Sequence, residues 1–354
     1  MADKNTQNIT ISTTSILKVI LIILAIWVLY LIKNVLGILF ISLIITAGMT
    51  PWVDWLENKK IPRVLGTAIL YVILLGIFSL VVILIIPVLS EQIGQIISVF
   101  PSYYDKIVKG FEALKASSGD TALVSSVQQS LGAINQSLTK AASGIFSSLV
   151  AVFGGFASFL SIMVIAFYLT LERNGWKKTV HALAPSQYQP YLTHLGNRIT
   201  VKLGAWLRGQ LLLCVIIFVM SYIGLTILGV KYALVLALIA GLTEFVPIIG
   251  PIVGAVPAIF LSFAQSPLKA LLVLILYIVI QQLENNLIVP KVMQRSVGLN
   301  PIVVIIAMLI GAKLGGIIGM VLAIPIAAVI QVFSSDFFGQ KRNRDDQLET
   351  TDSG

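Results

Sequence analysis

Nine stretches of the chain, residues 19–32, 34–53, 64–90, 141–171, 209–230, 245–268, 270–283, 296–312 and 314–335, contain no Asp, Glu, Lys or Arg. A bilayer-spanning helix takes about 20 apolar residues, so each stretch is a candidate span or half-span. The first follows a polar tail (1–14) and Lys18. It reads as a retained helix rather than a signal peptide, because Trp27, Tyr30 and a second apolar run follow it in place of a small-residue cleavage site. The second run is predicted to stop at Thr50-Pro51, where proline ends the helix and Trp52 and Trp55 suit the membrane interface. The third is predicted from Val64 to Ile86, ending at Pro87, the fourth over 145–171 and the fifth over 209–228.

Between these spans the pattern changes character. Ile93, Ile96, Ile97 and Phe100, then Ile107, Val108, Phe111 and Leu114, recur at helical spacing with polar residues between them. Residues 88–140 are therefore expected to form amphipathic helices, broken at Pro101 and at Ser117-Ser118-Gly119-Asp120, that lie on or pack against the membrane domain. Residues 172–208 are also amphipathic.

Composition turns this pattern into a class. Of 354 residues 57% are hydrophobic and 11% charged, where a soluble domain carries charge at roughly a quarter of its positions. The expectation is an all-α polytopic membrane protein of about eight membrane segments. The single cysteine, Cys214, excludes an internal disulfide framework and a Cys-cluster metal site. His181 and His194 form no H-E-x-x-H pattern, and no Walker A or nucleophile motif is present, so an enzyme is the least fitting class and neither metal nor cofactor is expected.

The net charge of +9 reads as topology rather than as nucleic-acid binding, because cytoplasmic loops of membrane proteins collect Lys and Arg. In 172–208 six basic residues (Arg173, Lys177, Lys178, Arg198, Lys202, Arg208) face one acid, Glu172, whereas 88–140 balances four of each. The first segment is therefore expected in the cytoplasm and the second outside, with both termini cytoplasmic. The organisation expected is a polar tail (1–14), three spanning helices (15–87), an extracytoplasmic segment (88–140), a fourth span (141–171), a basic cytoplasmic linker (172–208), a membrane core (209–335) and a polar cytoplasmic tail (336–354).

Two segments in the core do not read as simple spans. Residues 232–264 would make one helix about 50 Å long against a hydrocarbon core of about 30 Å. Their middle holds Pro247, Gly250 and Pro251, with Gly254 and Pro257 close behind, so a break is expected. Residues 301–333 repeat the design with Pro301, then Gly311, Gly315, Gly316 and Gly319, then Pro325. Each segment is either a kinked span or a helical hairpin. The loop charges favour hairpins by one charge, with Lys231 and Lys269 outside, Lys291 and Arg295 inside, and the two hairpins entering from opposite faces. Paired interrupted segments point to a transporter's substrate site, where broken backbone is tolerated.

Ionisable groups at membrane depth are costly and are functional candidates by default. Glu244 stands alone beside the first break, as a proton- or Na⁺-binding carboxylate or as half of a structural pair. Gln281, Glu284 and Asn285 line one helix face, as a polar path or as an interfacial cap. Asn300-Pro301 is a helix-start signal. Lys313 sits where a second hairpin would turn, free to snorkel, to bind an anion or to pair with Glu244 or Glu284. Arg208 and Gln210 serve as an interfacial anchor or as a gate.

The run Glu244-Phe-Val-Pro247-Ile-Ile-Gly250-Pro251-Ile-Val-Gly254-Ala-Val-Pro257, with Gln281-Gln-Leu-Glu284-Asn285-Asn, Gly298-Leu-Asn300-Pro301, Gly311 to Gly319 and Ala323-Ile-Pro325, resembles the autoinducer-2 exporter family, or PerM-like permeases. Arg208-Gly209-Gln210 also fits the family's pattern. The resemblance implies a multi-pass protein of the bacterial inner membrane and a homo-oligomer, a pentamer among the forms it suggests. It further implies secondary-active efflux of a small polar solute such as autoinducer-2, coupled to protons or Na⁺, or Na⁺(Li⁺)/H⁺ antiport. A passive oligomeric channel and a membrane scaffold are the readings it competes with.

Overall fold

The computed structural model describes residues 13–85, 87, 156–293 and 298–352, so the segment expected at 88–140 and the first part of the fourth span lie outside the described residues. All regular structure among them is helical. In chain order the elements are α1 (Thr13–Leu31), α2 (Lys33–Asn58), α3 (Arg63–Ile85), α4 (Phe156–Leu171), α5 (Gly175–Leu183), a 3₁₀ turn (Ser186–Tyr188), α6 (Gln189–Ile227), α7 (Ala233–Thr243), α8 (Ile249–Gln265), α9 (Pro267–Leu283), a π turn (Glu284–Ile288) and α10 (Val289–Met293). A final helical segment, Pro301–Asp352, is broken at Gly315 and Gly316, which defines α11 (301–314) and α12 (317–352). The chain is an all-α polytopic membrane protein.

Helix α6 is the axis. Its 39 residues make a rod about 58 Å long, and it continues through residue 208 without interruption, joining half of the basic 172–208 region to the fifth apolar run. It stops at Gly229 (φ 63), where the N–H groups of Gly229 and Val230 donate to Thr226 and Leu225, the αL turn that satisfies a helix's last carbonyls. Near its N-terminal half, Ile44 and Ala47 of α2 meet Leu203, Trp206 and Leu207 of α6 and Ile324 and Ala328 of α12 in one buried cluster. Nearer its C-terminal end, Ile217 and Leu225 pack with Leu236, Ala240, Ala258, Leu261, Val273 and Tyr277 from α7, α8 and α9.

Helix α2 does not stop at Pro51 as its sequence predicts, but runs to Asn58. Proline cannot donate to the carbonyl four residues back, that of Ala47. The Arg208 guanidinium lies 3.5 Å from that oxygen, and the helices approach closely enough there that a Cβ on Gly204 would stand 2.3 Å from it. A donor from α6 thus replaces the one the proline removes. Arg63 acts similarly at the end of α4: it donates to the Thr170 carbonyl at 3.1 and 2.8 Å while pairing with Asp54 and Glu57 at 2.6 and 3.1 Å.

Both interrupted segments fold back on themselves as hairpins. A Cβ on Gly254 of α8 would lie 2.8 Å from the Ala240 Cα of α7, which no single kinked span could bring about. In the second, Gly316 turns the chain at φ 59, ψ −139, and a Cβ on Gly311 would stand 2.3 Å from the Gly319 carbonyl oxygen. The breaks lie at Glu244–Ile248 and at Gly315–Gly316; Pro257 and Pro325, expected as part of them, stand inside α8 and the α11–α12 segment, each nine residues past the positive-φ residue of its turn.

The hairpins have their open ends at opposite ends of α6. Lys269 Nζ donates to the Gly229 carbonyl at 2.7 Å, joining the two ends of the first hairpin beside the α6 C-terminus. The second is joined by Gln331, whose amide donates to the Gly298 carbonyl at 3.1 Å and accepts from Lys202 at 2.6 Å, with Arg198 and Asp336 forming an ion pair alongside. With α7 at 11 residues and α8 at 17, arms of about 16 and 25 Å fall short of a hydrocarbon core of about 30 Å.

The glycine contact predicts a sharp asymmetry between neighbouring substitutions. Gly311→Ala or Gly319→Ala forces backbone apart and should cost about 1–3 kcal/mol, read as a lower unfolding midpoint in detergent. Gly315→Ala, where a Cβ meets nothing within 4 Å at φ −141, should leave that midpoint within about 1 kcal/mol of the parent.

Candidate functional site

The tip of the first hairpin is built from a sequence that cannot continue a helix. Helix α7 ends in tight turns, with the N–H groups of Phe245 and Val246 donating to Leu242 and Thr243 at 3.2 and 3.0 Å. The Ile249 N–H then donates to the Pro247 carbonyl at 2.8 Å, bending the chain around Ile248 at φ 70, ψ −51. This is the positive-φ γ-turn, a rare and strained conformation for a β-branched residue. Gly250 follows, where a Cβ would stand 1.9 Å from the Thr243 carbonyl oxygen, so the returning arm can pass only as glycine.

The turn delivers Glu244 into the interior at 1% exposure. Glu284 begins the π turn after α9 and is 4% exposed. Local π geometry re-aims side chains and is frequent at functional sites. The two carboxyls lie within hydrogen-bond reach of each other, and Oε2 of each finds no donor among the surrounding groups. Among the described residues neither forms an ion pair. Gln210, itself 1% exposed on α6, donates through Nε2 to the Glu244 backbone carbonyl at 2.6 Å. Cys214, one turn further along α6, is half-buried.

Two carboxyls side by side can take up a proton or a small cation. Burying two carboxylates side by side is expensive unless their charge is compensated. A hydrogen bond between two carboxyls needs a proton on one of them, and a monovalent cation between them can replace that proton. No group of three or more His, Cys, Asp or Glu suited to a metal ion occurs among the described residues.

The comparison with known proteins agrees with this architecture. The family model described as AI-2E family transporter matches residues 17–339, nearly the whole chain. The chain belongs to the AI-2E family of transporters. The chain is 30% identical over 286 residues to YueF of Bacillus subtilis (strain 168), a protein whose name assigns it provisionally to transport, covering 78% of each chain. It is 29% identical over 309 residues to YrrI of the same organism, similarly named, covering 86% of this chain and 87% of that one. It is also 26% identical over 314 residues to a protein of Halobacillus andaensis named sodium-lithium/proton antiporter, covering 83% and 87%.

Within this AI-2E family fold the residues singled out from sequence separate into groups. Glu244 and Glu284 meet. Gln281 and Asn285 do not join them: they bond each other at 3.4 Å, with Asn285 exposed, while Asn286 bonds Gln282 at 3.1 Å. Asn300 is a helix cap, its Oδ1 accepting the Ile302 N–H at 2.9 Å. Lys313 is exposed two residues before Gly315 and forms no ion pair with either glutamate. Gln210, read as an anchor or gate at a span's edge, is buried inside the bundle and fastens the hairpin tip. Its signal in the sequence was available: an amide within a charge-free run of 22 residues, 209–230, where a polar side chain needs a partner.

Removing that partner has a measurable cost. Gln210→Leu keeps the bulk and leaves the Glu244 carbonyl unpaired, which should destabilise the protein by about 1–3 kcal/mol in denaturant titration. Gln282→Leu, on the exposed face of the same bundle, should be close to neutral.

Proposed function

We propose that this AI-2E family member is a secondary-active transporter of the bacterial cytoplasmic membrane in which Glu244 and Glu284 form the coupling site, exporting a small polar solute against protons or Na⁺. The observation that carries the reading is the facing pair of buried carboxyls with no cationic partner among the described residues, at the tip of a helical hairpin. Such a pair alternates between a protonated and a cation-bound or ionised state, and each change alters the charge at the point where the first hairpin meets α6 through Gln210. The hairpins whose open ends lie at opposite ends of α6 suit a mechanism in which the tip region is reached alternately from the two sides. Placing the basic end of α6, with Arg198 and Lys202, in the cytoplasm puts the second hairpin's base and the C-terminus on that side. The broad apolar surface of α1, exposed from Val19 to Leu24, is available to lipid or to further copies in a homo-oligomer.

A second reading makes the cation itself the cargo. It is favoured by the relative named sodium-lithium/proton antiporter and needs no solute site beyond the carboxyl pair.

Flux in proteoliposomes distinguishes the alternatives. Under an imposed pH gradient, Glu244→Gln and Glu284→Gln should each lower coupled transport on the order of tenfold or more, with folding retained. If addition of Na⁺ or Li⁺ alone dissipates the gradient in the parent protein, the antiport reading is favoured. Full, still pH-dependent transport in both variants would remove the coupling role.

A further inference from the structure

The carboxyl pair is not the only buried polar feature of this bundle. Ser221 on α6 and Ser262 on α8 are fully buried, Tyr277 on α9 is 8% exposed, and none of the three hydroxyls completes a hydrogen bond. Serine and threonine inside apolar helices ordinarily discharge the hydroxyl onto the carbonyl one turn back. Ser42, Thr46, Thr50, Thr170 and Thr243 of this protein all do so, at 2.7–2.9 Å. Ser221 and Ser262 do not. Buried polar atoms left without a protein partner are the normal seat of ordered water, which makes about three hydrogen bonds in such sites.

The three belong to α6, α8 and α9, helices that share one buried core. The Tyr277 hydroxyl approaches Ser221. Tyr277 packs in the cluster that holds Ala258 and Leu261, and Ser262 follows Ala258 by one turn on the same face of α8. Thr67 on α3 also has an unpartnered buried hydroxyl, but it belongs to another helix and stands apart from this set. Along α6, Gln210, Cys214, Ile217 and Ser221 recur at spacings of four, three and four, so Ser221 lies on the face that also carries Gln210. Along α9, Glu284, Ile280, Tyr277, Val273 and Lys269 descend in the same way. Tyr277 is thus about 10 Å from Glu284 and about 12 Å from Lys269, which closes the open end of the first hairpin through Gly229. Ile217 and Ile280, members of one apolar cluster, stand between the two polar positions along α6 and α9.

We propose that Ser221, Ser262 and Tyr277 enclose a hydration site that carries protons between the Glu244–Glu284 pair and the end of the bundle marked by Gly229 and Lys269. The proposal rests on the pair's role in coupling. A hydroxyl suits the task because it donates its own proton to one water while accepting another, and so returns to its starting state. Water passes Ile217 and Ile280 only transiently, which keeps the path from leaking.

Accessibility tests the site separately from coupling. On a Cys214→Ser background in proteoliposomes, Ser221→Cys and Ser262→Cys are exposed to silver ion and to a small cationic methanethiosulfonate, with Ala328→Cys, equally buried but in the separate cluster of α2, α6 and α12, as control. The two serine positions should react on the order of ten times faster than the control; equal, slow reaction at all three overturns the hydration site. Tyr277→Phe removes one oxygen and keeps the ring, and should slow proton flux on the order of tenfold at unchanged cation affinity. Unchanged proton flux in Tyr277→Phe overturns the relay even if the site is wet. Loss of flux in Glu244→Gln together with unreactive cysteines rejects the relay and leaves the coupling site standing. Reactive cysteines with normal flux in Glu244→Gln reject the coupling site, and with it the relay's terminus.

Discussion

A chain that turns back within a bilayer must satisfy its freed backbone groups without water, and that constraint organises what surrounds the two hairpins. The Glu244 carbonyl is taken by Gln210, the Ala47 carbonyl orphaned by Pro51 faces Arg208, and the last turn of α4 is closed by Arg63. Two of those three donors lie on α6 within three residues of one another. They tie the first hairpin's tip and α2 to the same turn of a single rod. The buried carboxyl and the carbonyl that Gln210 holds belong to the same residue, so a backbone shift at Glu244 reaches α6 directly.

The two hairpins share a plan but differ in how they are closed. The first turns through a strained Ile248 and buries a charge-bearing tip, whereas the second turns through Gly315 and Gly316 and carries an exposed lysine beside the turn. Their tight crossings both depend on glycine facing backbone, Gly250 against Thr243 and Gly311 against Gly319. The second hairpin is also held at its base by the Lys202–Gln331 bond and the Arg198–Asp336 pair, surface contacts whose individual contribution is small. The first hairpin therefore holds the buried chemistry, and the second the ties to the basic end of α6.

The membrane class and the two helix breaks were legible in the sequence because each interrupts an otherwise apolar pattern, and Glu244 and Glu284 stood out as candidates for the same reason. Charge counting likewise anticipated hairpins opening in opposite directions, and the bases at the two ends of α6 have that arrangement. What was not legible depends on partners distant in sequence. Pro51 looked like a stop because its substitute donor lies 157 positions away at Arg208, and Pro257 and Pro325 looked like breaks although the turns are made by Ile248 and Gly316. Gln281 and Asn285 shared a predicted face with Glu284, but the π turn shifts the helical register at that point and separates them. That Glu244 faces Glu284 could not be read at all, since nothing local relates residues 40 apart.

The central claim is that a proton and a cation compete for one place between two carboxyls. Proton release on cation addition measures this without any assumption about the cargo. Purified protein in weakly buffered detergent solution, titrated with Na⁺ or Li⁺ against a pH-sensitive dye, should release protons in a saturable manner, and the release should disappear in Glu244→Gln and in Glu284→Gln. Saturable release of the same size from both variants would contradict the account.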